Sequence, residues 1–420
     1  MDRLHQSKPR YSAVIVACLL TCLLSACHQA PGNKLFDPRQ VDFSVNYNPL
    51  YDGQLYPSLL LATNNPSPDN LTAQLSTFSF TLTSPAENSV LRVVVDSSAL
   101  NYVTIFQEIL PHRGEEYTFT PSVKWKYDAL RRLRQPGAVD LTFSCYINDE
   151  EVDIKNLHLT YRTVNECPLS FRQSNSSDIV DCRWLFAAYV NEDHPQIEQI
   201  ITDIMDQGNV RRLNGYQGTA RDVRDQVFAV WYYALDRGIT YSSISCTSNP
   251  SSLANVQHIR FFDEVFSTRQ ANCIDACVFF ASILRKIGLK PVIFVEPCHA
   301  YLGYYTDKNR KNIALLETTL TSWVNFPELE RSLDGDGRLP DEQFDKIRKY
   351  LSDQEAERYL NGKMKFNELK RTIARSLFDK ASEYDRDTYN TNREHFADTT
   401  SITYQQLDIE QLRKQVQPIN

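Results

Sequence analysis

Cys273, His299 and Glu317 are three residues whose types and order suit nucleophilic chemistry. Cys273 opens a strongly apolar stretch, Cys273-Ile-Asp-Ala-Cys-Val-Phe-Phe-Ala-Ser-Ile-Leu-Arg-Lys-Ile-Gly288, which reads as a buried helix. The first turn of a helix has unpaired N–H groups and the positive end of the dipole, an environment that favours a thiolate. A thiol nucleophile needs a base, and His299 begins a strand-like run, His299-Ala-Tyr-Leu-Gly-Tyr-Tyr. The imidazole in turn needs a group to fix its tautomer, and Glu317 follows in Ile313-Ala-Leu-Leu-Glu-Thr-Thr. These two runs flank the polar turn Thr306-Asp-Lys-Asn-Arg-Lys-Asn312 and predict a hairpin. If the turn is centred near Asn309, residue 299 pairs with 319, and 317 becomes its diagonal neighbour on the same face. An odd slip in register would separate them. The backbone N–H of Cys273 is one oxyanion donor by helix geometry; Gln270, Gln226 and Tyr241 are weaker side-chain candidates.

A competing chemistry uses Cys273, Cys277, Cys298 and His299 as a zinc set. The spacing within each pair departs from zinc-knuckle patterns, so we expect no metal, and the triad asks for no cofactor. Ser332-Leu-Asp-Gly-Asp-Gly-Arg-Leu resembles a calcium loop but lacks Gly at its sixth ligand-loop position; it reads as a turn. A formal net charge of −7 argues against nucleic acid as a partner.

The elements around this segment divide the chain. Val41–Tyr47, Ala73–Leu82, Val90–Val95 and Val139–Ile147 alternate or are rich in β-branched and aromatic residues. They are separated by turn clusters at Asn64–Asn70 and Asn148–Glu151, with a helical insert at Ser122–Arg134. This spacing predicts an antiparallel β-sandwich of immunoglobulin-like type over 36–165. Helical periodicity then takes over. His194-Pro-Gln-Ile opens one helix, and Thr219 caps another that stops at Gly238. Residues 166–326 form the expected core, and 327–420 a helical region with helices at Asp341–Leu360, Phe366–Tyr384 and Tyr404–Gln415. The class is therefore α+β.

Residues 1–26 read as a leader. Arg3, Lys8 and Arg10 precede the apolar run Ala13–Leu24 and the small residues Ser25 and Ala26. Leu24-Ser25-Ala26-Cys27 resembles the lipobox of bacterial lipoproteins. That resemblance implies cleavage before Cys27, acylation of Cys27 with palmitate-like chains, and a short tether over 27–35. The expected location is the cell envelope, with the membrane held through Cys27. His28 follows in place of Asp, which favours the outer over the inner membrane.

The segments Gln270-Ala-Asn-Cys-Ile-Asp-Ala-Cys, Pro297-Cys-His-Ala-Tyr-Leu-Gly and Leu315-Leu-Glu-Thr-Thr together resemble the bacterial transglutaminase-like family, which has a papain-type fold. The match runs over about Asp193 to Thr319. It implies a nucleophile at Cys273, a base at His299 and an orienting acid at Glu317. The implied activity is thiol peptidase, amidase or acyltransferase chemistry on a peptide or protein, including peptidoglycan peptides. Inactive members imply the alternative, a binding or scaffold module at the envelope. Ala271 and Cys298 stand where the family commonly has Gly, adding bulk near the site. With Cys273 free, the remaining cysteines permit disulfides in an exported chain, Cys167 with Cys182 being the nearest pair.

Overall fold

The computed structural model describes residues 36–63, 75–173, 178–243 and 251–419. The leader, the lipobox with Cys27, the tether, Cys246 and the Asn64–Asn70 turn lie outside the described residues. The fold is mixed α+β with several sheets. Its N-terminal strands are β1 (Phe43–Tyr47), β2 (Gln54–Leu55), β3 (Phe78–Thr83), β4 (Ser89–Val95), β5 (Thr104–Leu110), β6 (Glu116–Phe119), β7 (Gly137–Ile147) and β8 (Glu150–Tyr161). They form two sheets, ordered β1-β3-β6 and β2-β8-β7-β4-β5. All pairings within them are antiparallel except β2 with β8.

Alternate residues of β3 and β4 are buried, the period expected of strands with one face on a core. Phe78 and Phe80 of one sheet meet Phe143 of the other at centroid separations of 5.3 and 5.8 Å. Asn148 and Asp149 both adopt positive φ (49° and 65°) and form a two-residue turn between β7 and β8. Two left-handed residues in sequence give the turn twist that suits a hairpin, and Asn and Asp tolerate that region best after Gly. β8 has one buried residue, and its place is set by its ladder with β7 more than by its own pattern. The insert at Ser122–Arg134 contracts to a helix over Tyr127–Arg131.

The second half contains β9 (Glu166–Arg172), β10 (Ile179–Asp181), β11 (Thr240–Tyr241), β12 (Ala254–His258), β13 (Gln270–Ala271), β14 (Pro291–Glu296), β15 (His299–Tyr305), β16 (Ile313–Leu316) and β17 (Gln405–Asp408). The helix Cys273–Lys286 is buried continuously from Ile274 to Leu284 and packs on β14 and β15. Its neighbour Ala220–Arg237 carries the Thr219 cap and the left-handed Gly238 (φ 70°) that the sequence points to.

Two expectations about the C-terminal region are corrected. The stretch Tyr404–Gln415 is not one helix: Gln405–Asp408 forms β17, an added antiparallel edge on β14, and only Ile409–Leu412 is helical. Strand pairing with an open edge overrides local propensity there. Asp341–Leu360 is two helices, Asp341–Arg348 and Asp353–Leu360, the second started by a capping box between Ser352 and Glu355. Residues of 327–420 also pack against the core. Phe378, on the helix Phe366–Glu383, meets Phe228 at 5.6 Å and Trp231 at 6.1 Å. Further on, the Ile419 N–H donates to Ala188 and the Gln417 N–H to Ala62.

The described cysteines, 145, 167, 182, 273, 277 and 298, are all free. Cys167 and Cys182, the nearest described pair in sequence with Cys273 set aside, are not bridged. The Cys182 N–H donates to Leu169, which makes the two cysteines diagonal neighbours across the β9–β10 ladder. Diagonal positions lie about 7–8 Å apart, beyond ordinary disulfide reach without backbone movement.

Candidate functional site

The start of the Cys273 helix is locked by polar groups that do not involve the thiol. The Asn272 side chain accepts from the Asp275 N–H at 2.8 Å, and the Asp275 carboxylate accepts from the Asn272 N–H at 3.0 Å. Asp275 is wholly buried and also accepts from the Arg260 backbone and guanidinium, both at 2.8 Å. A buried carboxylate needs such partners to remain satisfied. Together they fix the half-buried Cys273 at the first helical position.

His299 is the first residue of β15 and pairs with Glu296 across the Pro297-Cys298 turn. Cys298 adopts φ 61°. That left-handed position suits Gly, so the cost of Cys298 lies in the backbone; its side chain is exposed and does not fill the site.

The pairing of β15 with β16 runs Leu302↔Leu316, Gly303↔Leu315, Tyr304↔Ala314 and Tyr305↔Ile313. This register is centred on Asn309, and its parity brings His299 and Glu317 to the same face. The chain leaves β16 at Leu316, and Glu317 caps the short 3-10 turn Thr318–Trp323. Its Oε1 accepts from the Thr319 N–H at 2.7 Å, and its Oε2 lies 2.6 Å from Nε2 of His299. The Glu317 backbone N–H donates to Ala381 at 2.9 Å, which ties it to the helix Phe366–Glu383.

Charge follows geometry here. The hydrogen bond with Cys273, followed by that with Glu317, outweighs burial and pushes His299 up to about 10. With Nε2 committed to Glu317, Nδ1 is the ring nitrogen left for the thiol. Burial alone would raise the Glu317 carboxyl. Hydrogen bonds from His299 and Thr319 prevail and hold it below the ordinary value. Cys277, one turn further along, is wholly buried, which pushes its thiol well up; its Sγ lies 3.8 Å from the Thr318 hydroxyl. It is a packing residue.

The oxyanion candidates separate. Tyr241 is on β11 and pairs with Ala271 of β13, two residues before Cys273; its phenol is raised by burial, then by the charges of Cys273 and Glu317. Gln270 is on β13, exposed, two residues before Asn272. Gln226 is corrected out of the site. Its amide accepts from the Asn214 and Gly215 N–H groups and donates to the Gly215 and Asp222 carbonyls, so it is fully used in holding a loop.

One site residue gave no sequence signal. Asp385, just beyond the helix Phe366–Glu383, is buried and brings a carboxylate oxygen within 4.8 Å of His299 and Glu317. The three are a potential ligand set by type, but the 2.6 Å contact between Nε2 and Oε2 leaves no room for an ion bound to both atoms. Cys298 and Cys277, exposed and buried respectively, do not join Cys273 and His299 in a zinc set among the described residues.

No family model matches this chain, and no curated protein matches it.

Proposed function

We propose that this chain is an envelope-anchored thiol acyl-enzyme hydrolase or acyltransferase acting on amide bonds of peptides or proteins. In this reading 166–326 is a papain-type, transglutaminase-like core, extended by the C-terminal strand and helix, and 36–165 an immunoglobulin-like spacer or docking sandwich. The observation that carries it is the single imidazole, His299, bonded at Nε2 to the buried carboxylate of Glu317 and close enough to Cys273 for the thiol to raise its pKa. The Cys273 proton is held at Nδ1 of His299, whose value is raised to about 10, before Sγ attacks the amide carbonyl. The Cys273 N–H at the helix start stabilises the oxyanion, with Tyr241, beside Ala271 on the neighbouring strand, a side chain that assists. His299 then protonates the leaving amine as the C–N bond breaks, giving a thioester. Water yields hydrolysis and an amine yields transamidation, with His299 taking the proton of either.

Iodoacetamide near neutral pH tests the chemistry. Cys273 should alkylate fastest of the cysteines and well ahead of a free cysteine peptide, by intact mass and peptide mapping. Alkylation of Cys273 only after denaturation would favour the scaffold alternative.

Anchoring is read from the lipobox. Cys27→Ser should leave the precursor uncleaved and unlabelled by radioactive palmitate; normal labelling of that variant would remove Cys27 as the acylated residue.

A further inference from the structure

Asp385 faces a setting in which a second carboxylate is costly. Its side chain is buried, one of its carboxyl oxygens lies within 4.8 Å of both Glu317 and His299, and its Oδ2 has no hydrogen-bond partner. The groups around it are acidic or neutral except His299, whose charge opposes the rise. They are Glu317, Glu296 at the end of β14, His299 and Tyr301 on β15, and Cys277 on the central helix. On its own side of the chain, Arg386 is turned to Glu383 at 3.6 Å. Two carboxyl groups in contact cannot both ionise readily; one keeps a proton and donates it to the other. Glu317 already accepts from His299 and from the Thr319 N–H, so the ionised role belongs to Glu317.

We propose that Asp385 is a positioning residue of the site, a neutral carboxylic acid that donates a hydrogen bond to the Glu317 carboxylate and so fixes the group that orients His299. This rests on the triad reading given above. It extends the site beyond the expected core into the C-terminal region, where a single loop after the helix Phe366–Glu383 delivers the acid. Burial, then the charge and hydrogen bond of Glu317, push Asp385 up to about 8, so the donor is present at neutral pH. Above that pH the proton is lost and the donor becomes a second negative charge against Glu317. The sign for folding is the same: a raised folded value means that the stability contributed by the protonated acid is complete below its ordinary 3.8 and lost as pH rises through about 8.

The test compares the full chain with Asp385→Asn and Asp385→Ala, using iodoacetamide alkylation of Cys273 across pH as the readout. Asn keeps an N–H donor toward Glu317 but does not titrate. Wild type should lose reactivity per thiolate through an inflection near the Asp385 value, about 8. Asp385→Asn should keep the neutral-pH rate within about threefold and lack that inflection. Asp385→Ala, which removes a hydrogen bond to a charged group, should be slower by about tenfold to a hundredfold. In thermal unfolding, wild type should lose stability relative to Asp385→Asn as pH rises from about 4 to about 8. If the Ala variant fails to fold, the Asn profile alone decides. Superimposable wild-type and Asn profiles, or an Asn variant as slow as Ala, would overturn the proposal while leaving the triad intact. A wild-type Cys273 no faster than a free thiol would overturn the triad reading and this one with it.

Discussion

Cys273→Ala should reduce acyl transfer by about five to six orders of magnitude while leaving the fold in place. The size follows from the role: without sulfur no thioester forms, and what remains is the slow reaction of water beside the Cys273 backbone N–H and the binding cleft. The fold should tolerate the change because the helix start is held by Asn272, Asp275 and Arg260, none of which uses the thiol. Ala is also the best helix former. A second readout comes from His299. Its largest upward influence is the hydrogen bond with Cys273, so in Cys273→Ala the imidazole should titrate below the wild-type value of about 10, by NMR of the ring protons. Turnover would be followed on peptide amides and peptidoglycan fragments, with intact mass to detect the thioester in wild type. A Cys273→Ala protein that still processes such a substrate at the wild-type rate would end the nucleophile assignment.

The parts of this site that were legible in the sequence are those fixed by local patterns. The polar turn around Asn309 and the two apolar runs beside it set a symmetric hairpin, and from that the parity of His299 and Glu317 follows by counting. The Asn272 cap and the apolar run behind it likewise define the Cys273 helix start. The apolar faces of β3 and β4 were readable for the same reason. What was not legible depends on contacts distant in the chain. β17 has no strong strand pattern of its own and exists because β14 offers an edge. Asp385 lies in a charged segment, and only the packing of Phe378 on Phe228 and Trp231 brings the end of its helix over Glu317. Gln226 shows the reverse failure. It sits on a well-predicted helix close in sequence to other site elements, yet its amide is consumed by the loop at Asn214 and Gly215. A hairpin count also says nothing about depth. Glu317 would pass for a cleft carboxylate by position, whereas its side chain is wholly buried beneath His299.

Glu317→Gln should lower turnover by about two to four orders of magnitude, and the cause is the direction of two hydrogen bonds. Wild-type Glu317 accepts on both oxygens, from the Thr319 N–H and from Nε2 of His299. Gln has one acceptor and one donor. If its oxygen meets Thr319, its NH₂ faces Nε2, and the imidazole must carry its proton on Nδ1, the nitrogen that should receive the thiol proton. If the amide flips, its NH₂ faces the Thr319 N–H, and one buried donor goes unsatisfied. Either way the base is lost or the site is strained, and the imidazolium has no countercharge. Because Glu317 is buried, we also expect a loss of about 1–3 kcal/mol in stability. The pH window of that loss follows from both partners. The His299 value is raised, so its contribution is complete below its ordinary 6.5 and disappears as pH rises through about 10. The Glu317 value is lowered, so its contribution is complete above its ordinary 4.5 and disappears as pH falls through the depressed value. The difference in melting temperature between wild type and Glu317→Gln should therefore be greatest between pH 4.5 and 6.5 and shrink toward pH 10. A pH-independent difference, with turnover unchanged, would make Glu317 a buried cap of the Thr318–Trp323 turn and nothing more.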